Sequence, residues 1–265
     1  MRSYEVYSEG DLFKLFINEV MERLASIAKV DVVIVGAGPA GLSAAISLTE
    51  KKLHVVVFER MLGVGGGIRG GGMLLPLVLV EEGYPRQLLE ECGVKLKKIG
   101  EGLYAADPTE SMVKLAAKAI DNGTIIIPGI TVEDLITRID DGKLIVKGVV
   151  INWSPIVEAK WHVDPLMIES RAVVDATGHD AGIVRVLAKR YPNLRLNIPG
   201  MASMNVWLGE KEVVAKTSKI VEGLYVAGMS VAEVYNTHRM GPILGGMILS
   251  GKRVAEQILR DLGVT

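Results

Sequence analysis

Val30-Asp-Val-Val-Ile-Val35-Gly36-Ala-Gly38-Pro-Ala40-Gly41-Leu-Ser-Ala44 decides the fold of this 265-residue chain. Its apolar run, with Asp31 near the start, marks a strand buried on both faces. The GxGxxG spacing at the strand's end opens an Ala-rich helix that runs to about Glu50. Lys51 to Leu53 then leads into a second apolar strand, His54 to Phe58, which ends at Glu59. Strand, glycine turn, helix and strand together make a βαβ unit of about 30 residues. Gly36 allows the tight turn, Gly38 admits a pyrophosphate, and Gly41 lets the helix sit against the strand. The helix N-terminus offers unpaired N–H groups to an anion. Glu59 can accept both hydroxyls of an adenosine ribose and would repel a 2′-phosphate, so NAD or FAD is expected rather than NADP. The bland alternative is a glycine turn that binds nothing.

Upstream, Ser8-Glu-Gly-Asp11 reads as a capping box, and Phe13, Phe16, Val20, Leu24 and Ile27 recur at helical spacing. A helix over 8–28 is expected, its apolar stripe packed on the body or on another subunit. Downstream, the glycine-dense run Gly63 to Gly72 is expected to contact a ligand, with a mobile linker as the alternative. Helices are expected at Pro85 to Cys92, Pro108 to Asp121, Ala181 to Arg190 and Gly245 to Leu262. Strands are expected at Thr124 to Ile127, Ala172 to Ala176 and Gly223 to Met229. An inserted hairpin at about 130–152 turns on Asp141-Gly142. This alternation predicts one α/β domain over 1–265: a doubly wound, mostly parallel, Rossmann-like sheet with an antiparallel insertion. The layout looks like that of two-dinucleotide flavoproteins, but where their last strand continues with Asp this chain has Met229, which argues against ordinary flavin binding.

The formal net charge of -1 provides no basic field for nucleic acid. The N-terminus is polar and acidic, and the apolar windows are short or broken by charge, so neither a secretory signal nor a membrane span is expected. A cytoplasmic protein fits. Cys92 is the only cysteine, which excludes an intrachain disulfide and a thiolate metal cluster.

The chemistry concentrates in Trp161-His-Val-Asp-Pro165 and Thr177-Gly-His-Asp180, which hold two of the four His in the chain beside two Asp. Each residue also has an ordinary reading. Asp164 before Pro165 could cap a helix, with Pro at its first position. Asp180 suits a cap for the next helix better than a ligand. His162 could hydrogen-bond near a subunit contact. His54 lies on a buried strand, His238 could be a surface neighbour of Arg239, and Met229 reads equally well as core filler. His179 is harder to dismiss, because ligand crevices open at strand ends.

These two segments, with His238-Arg-Met-Gly-Pro242, resemble the thiamine thiazole synthases. Glu59 followed by Gly65-Gly-Gly67, Val132-Glu-Asp-Leu135, Gly148-Val-Val-Ile-Asn-Trp153 and Gly228-Met229 extend the match from about Val30 to Leu259. The resemblance implies that NAD is consumed as a substrate. Nicotinamide leaves, the ribose carbonyl condenses with glycine, sulfur is added, and an adenylated thiazole carboxylate forms. It further implies that Ala40, Glu59, Arg60, Gly67, Val132 and Met229 contact the dinucleotide, joined by His162, Val163 and Asp164 from a neighbouring subunit. Asp164 and His179 would hold Fe(II), with His162 beside them in the catalytic group, and Arg239 would bind the glycine carboxylate. Imidazole and carboxylate suit divalent iron, and a guanidinium suits a carboxylate. His162 stands where eukaryotic members carry a Cys that gives up its own sulfur. The resemblance therefore implies the archaeal type, which takes free sulfide and turns over repeatedly. It also implies a homo-oligomer, an octamer, with the site shared between subunits. A flavin-dependent oxidoreductase, a ribose-1,5-bisphosphate isomerase and a non-catalytic nucleotide sensor are the rival readings.

Overall fold

The computed structural model of the chain describes residues 6–264. In chain order it runs α1 (Glu9–Ile27), β1 (Lys29–Val35), α2 (Pro39–Thr49), β2 (Val55–Glu59), β3 (Val78–Glu81), α3 (Tyr84–Glu91), β4 (Leu96–Gly100), β5 (Leu103–Ala106) and α4 (Pro108–Asp121). It continues with β6 (Ile125–Pro128), β7 (Ile130–Asp140), β8 (Lys143–Trp153), α5 (Ser154–Glu158), β9 (Leu166–Asp175), α6 (Gly182–Arg190) and α7 (Val206–Lys216). The last elements are β10 (Ser218–Val221), β11 (Leu224–Val226), α8 (Met229–Tyr235) and α9 (Gly245–Leu262).

The main sheet has the order β10-β11-β9-β1-β2-β6, and β8 joins it by pairing with β9. Strands β11, β9, β1, β2 and β6 run parallel to one another, while β10 and β8 pair antiparallel at β11 and β9. The antiparallel β7–β8 hairpin turns at Asp140↔Lys143, around the expected Asp141-Gly142. The α/β architecture is the expected one, with two extensions. The hairpin is an extension of the main sheet through Gly148↔Glu169 to Ile151↔Leu166. A second sheet, β3-β5-β4, lies apart from the main one, and the sequence reading did not foresee it.

Strand β1 is buried on both faces because its side chains alternate between two cores. Val32 and Ile34 pack with α2, α4 and α9 side chains such as Leu42, Leu115 and Ile248. Val33 and Val35 pack with Phe58, Ile151, Ile183 and Leu187 on the opposite face. Each such side chain contributes about 1.5–3 kcal/mol by leaving water. Helices α2 and α9 cross closely through small residues. A Cβ on Gly251 would stand 2.2 Å from the Ala40 carbonyl oxygen, and the Ser43 hydroxyl donates to the Ile248 carbonyl at 2.8 Å.

The capping box of α1 forms as expected, Ser8 and Asp11 each accepting from the other's backbone N–H. Only Ile27 of this helix is buried, and Leu12, Phe13, Leu15, Phe16 and Met21 remain exposed on the isolated subunit. Other expectations change. Helix α6 begins at Gly182 rather than Ala181, β9 starts upstream at Leu166, and the strand expected through Met229 stops at Val226. His54 sits half-buried just before β2, its backbone N–H donating to Asp31 at 3.0 Å.

Candidate active site

The carboxyl ends of the parallel strands share one edge of the sheet, as the register Val226–Asp175–Val35–Phe58 requires. Ligand crevices in doubly wound sheets open on this edge. The three fingerprint glycines act differently there. Gly36 has φ +106°, and a Cβ on it would lie 2.4 Å from the Ala176 carbonyl oxygen. A Cβ on Gly41 would lie 2.1 Å from the Gly36 carbonyl oxygen, whereas one on Gly38 would meet nothing within 4 Å. Gly36 and Gly41 are thus demanded by packing, and Gly38 leaves open the approach to the α2 N-terminus. The glycine-dense loop folds over that end as two 3₁₀ turns, Gly66–Gly70 and Gly72–Leu74. Gly65 N–H donates to the Ala37 carbonyl at 2.8 Å, and space near Gly67 is open. A linker would not be tied to the fingerprint in this way.

Glu59 is buried and accepts from Ala37 N–H and Met61 N–H, both at 2.9 Å. Each oxygen keeps a lone pair for a ribose hydroxyl. Arg60 follows, exposed, its guanidinium 2.8 Å from Asp180. Asp180 therefore does not cap α6. Its carboxylate is held by Arg60, and the α6 N-terminus is satisfied by Asp175 and Thr177 instead. Asp175 Oδ2 accepts from Ile183 and Val184 N–H, both at 2.9 Å, and Thr177 Oγ1 accepts from Gly182 N–H at 2.7 Å. Asp175 Oδ1 accepts from Thr177 N–H at 3.0 Å, Thr177 O–H at 2.7 Å and Ser230 O–H at 3.0 Å. This fully buried carboxylate organises the turn that carries His179. The sequence reading missed it, although an Asp closing an apolar strand run was a visible signal. Val132 is buried beside Phe58 and Ile151, so its backbone is what it can offer a ligand. Met229, half-buried, opens α8 rather than ending a strand.

The segment 161–165 lies elsewhere. Trp161, His162, Val163 and Asp164 are exposed, without regular structure, between α5 and β9. Asp164 caps no helix, because Pro165 leads directly into a strand. Asn152 Nδ2 donates to the Val163 carbonyl at 3.2 Å. His162 and Asp164 precede the amino end of β9, and His179 follows its carboxyl end. The strand's ten residues put roughly 30 Å between those ends at about 3.3 Å per residue. Asp164 and His179 of one subunit are therefore not brought together. Arg239 is exposed on the connection between α8 and α9, its N–H donating to the Ser203 carbonyl at 3.3 Å. Its neighbour His238 pairs with Glu212 at 3.0 Å, so it is engaged rather than free.

Comparison with known proteins gives a consistent answer. The sequence model of the Thi4 family matches residues 14–244. The thiamine thiazole synthase of Archaeoglobus fulgidus is 49% identical over 254 residues, 96% of this chain and 96% of that protein. That of Saccharolobus islandicus L.S.2.15 is 48% identical, over 96% of this chain and 94% of its own length. The crystal structure of Thermovibrio ammonificans THI4 superposes with a TM-score of 0.93 at 39% identity, covering 98% of this chain and 100% of that one. A match of this extent, on a fold that agrees almost end to end, means that the chain belongs to the Thi4 family of thiamine thiazole synthases.

Proposed function

We propose that this enzyme of thiamine thiazole synthesis builds an adenylated thiazole carboxylate from NAD, glycine and sulfide, releases nicotinamide, and turns over repeatedly. The observation that carries this reading is the state of its sulfur. Cys92 is the only cysteine. It closes α3, half-buried against the core, and burial pushes its thiol up to about 11. The thiolate is the reactive form, so at neutral pH this sulfur stays protonated and inert. His162 occupies the exposed segment from which a donor cysteine would act, and imidazole has no sulfur to give. Sulfur must therefore come from solution.

The remaining groups suit the substrates. The open N-terminus of α2 favours a pyrophosphate, Glu59 accepts ribose hydroxyls, and the exposed guanidinium of Arg239 can take a glycine carboxylate through two parallel hydrogen bonds. His179 and Asp164, both exposed, form a nitrogen–oxygen donor set of the kind divalent iron accepts. When bound there, iron would supply Lewis acidity and a soft site for sulfide. The length of β9 supports a site completed by a second copy, with His162, Val163 and Asp164 reaching the NAD of a neighbour. The exposed apolar face of α1 suits an oligomer, for which we propose an octamer working in the cytoplasm. No helix among the described residues is long and apolar enough to cross a membrane.

Anaerobic incubation of the folded protein with NAD, glycine, sulfide and Fe(II) is expected to yield nicotinamide and an adenylated thiazole over many turnovers. Absence of both products, or a single turnover independent of added sulfide, would overturn the reading.

A further inference from the structure

Beneath His179 lies a charged group that the reading above leaves without a task. Glu233 on α8 is 8% exposed. Arg185 Nη2 is 3.2 Å from its Oε2, and His179 Nδ1 is 3.9 Å from its Oε1. A buried carboxylate is costly unless it is paired. Arg185 could pair with it fully, because a guanidinium fork matches both carboxylate oxygens. It takes only Oε2, however, and its Nε donates instead to the Asp180 carbonyl at 2.8 Å. Oε1 is left facing the imidazole. The turn between them is also held from outside by Arg60 on Asp180 and from inside by Ser230, whose hydroxyl lies 3.1 Å from the Gly178 carbonyl. The backbone that carries His179 is thus clamped, while its side chain is 65% exposed at the surface.

We propose that Glu233 is the positioning residue for His179: Oε1 accepts Nδ1–H and so fixes the tautomer whose Nε2 is bare and points outward to the metal. This rests on the reading of His179 as an iron ligand. Metal-binding imidazoles commonly hand their second N–H to a carboxylate, which orients the ring and raises the basicity of the ligating nitrogen. The 3.9 Å separation is longer than a hydrogen bond. The exposed ring must approach Oε1 when metal binds, with Arg185 holding Glu233 in place through Oε2.

Fe(II) and Co(II) affinity of the full-length protein, measured anaerobically by equilibrium dialysis, tests this. His179→Ala is expected to abolish binding at the site. Glu233→Gln is expected to weaken it about 10- to 100-fold and to shift the visible bands of bound Co(II), with the melting temperature tracking fold integrity. If His179→Ala binds metal normally, the iron reading fails. If it loses metal while Glu233→Gln loses less than tenfold, the iron reading stands and the role of Glu233 falls. A measurement on the unaltered protein covers the case in which Glu233→Gln misfolds. Nitrogen-15 spectra of the imidazoles, with His179 assigned by its loss in His179→Ala, should show the Nδ1–H tautomer. A dominant Nε2–H tautomer overturns the proposal.

Discussion

The two ends of β9 are built in opposite ways. At the carboxyl end, one buried carboxylate, Asp175, gathers N–H and O–H donors from the Thr177 turn, α6 and α8. At the amino end, the segment 161–165 is exposed, and the Asn152 side chain holds it through the Val163 carbonyl. The first end is organised before any ligand arrives. The second depends on what docks against it, which is what a group serving a neighbouring subunit would need. Preorganisation is costly in a monomer and useful only where the geometry must already be correct, as at a metal ligand.

Breaking the organised end should have the largest effect. Asp175→Ala strands several buried donors and is expected to cost about 3–5 kcal/mol. The loss would be seen as an earlier urea midpoint, together with loss of the metal binding proposed for His179.

The next effect sharpens the contrast from another buried carboxylate. Glu210 on α7 accepts from Gly246 N–H at the start of α9, faces Glu81, and leaves its Oε1 without a partner. Burial, reinforced by the charge of Glu81, pushes Glu210 well above the usual carboxylate range, to about 8, and burial raises Glu81 too. For an acid raised on folding, the native state holds a proton that the unfolded chain releases. The stability contributed by the protonated Glu210 should therefore be fully present below about pH 4.5 and be lost as pH rises toward 8. Glu210→Gln should flatten that slope in urea titrations across pH. An unchanged slope would mean that Glu210 is ionised in the folded protein.

Asn152→Ala removes the bond to the Val163 carbonyl and the one accepted from Trp153 N–H, and should cost about 1–2 kcal/mol. Its clearest sign would be faster amide exchange confined to 161–165, with protection at 175–180 intact. Substitutions that only touch exposed or inert groups come last. His162→Ala and Cys92→Ser should each stay within about 1 kcal/mol of the parent in stability, and Cys92→Ser should keep full sulfide-dependent activity. A sulfide-dependent rate that falls with Cys92→Ser would reassign the sulfur chemistry.

Much of the fold was legible because its signals are local. The βαβ fingerprint, the Ser8–Asp11 box, the Asp141-Gly142 turn and the bounds of α9 follow from spacing over a few residues. The second sheet was not legible: β3 and β5 span four residues each and β4 five, too short for a periodicity to register. Nor was Asp180 as a partner of Arg60, or Met229 at the head of a helix. Both depend on neighbours that the chain reaches only after folding. The candidate site divides in the same way. His162, Asp164, His179 and Arg239 stand out by residue type and resemblance. Asp175, Asn152 and Glu233 are ordinary residues until distant elements converge on them.

The sequence by itself determined the βαβ architecture, because glycine, apolar runs and capping residues act through backbone geometry within a turn or two of the chain. It also determined that this protein has one thiol, Cys92. Only the tertiary structure decided that the thiol is half-buried against the core, where burial raises its pKa. It alone showed that the two candidate metal ligands flank a strand too long for one subunit to close. It alone set Glu233 beneath His179. Burial and distance are properties of packing between segments far apart in the chain, and no local pattern encodes them.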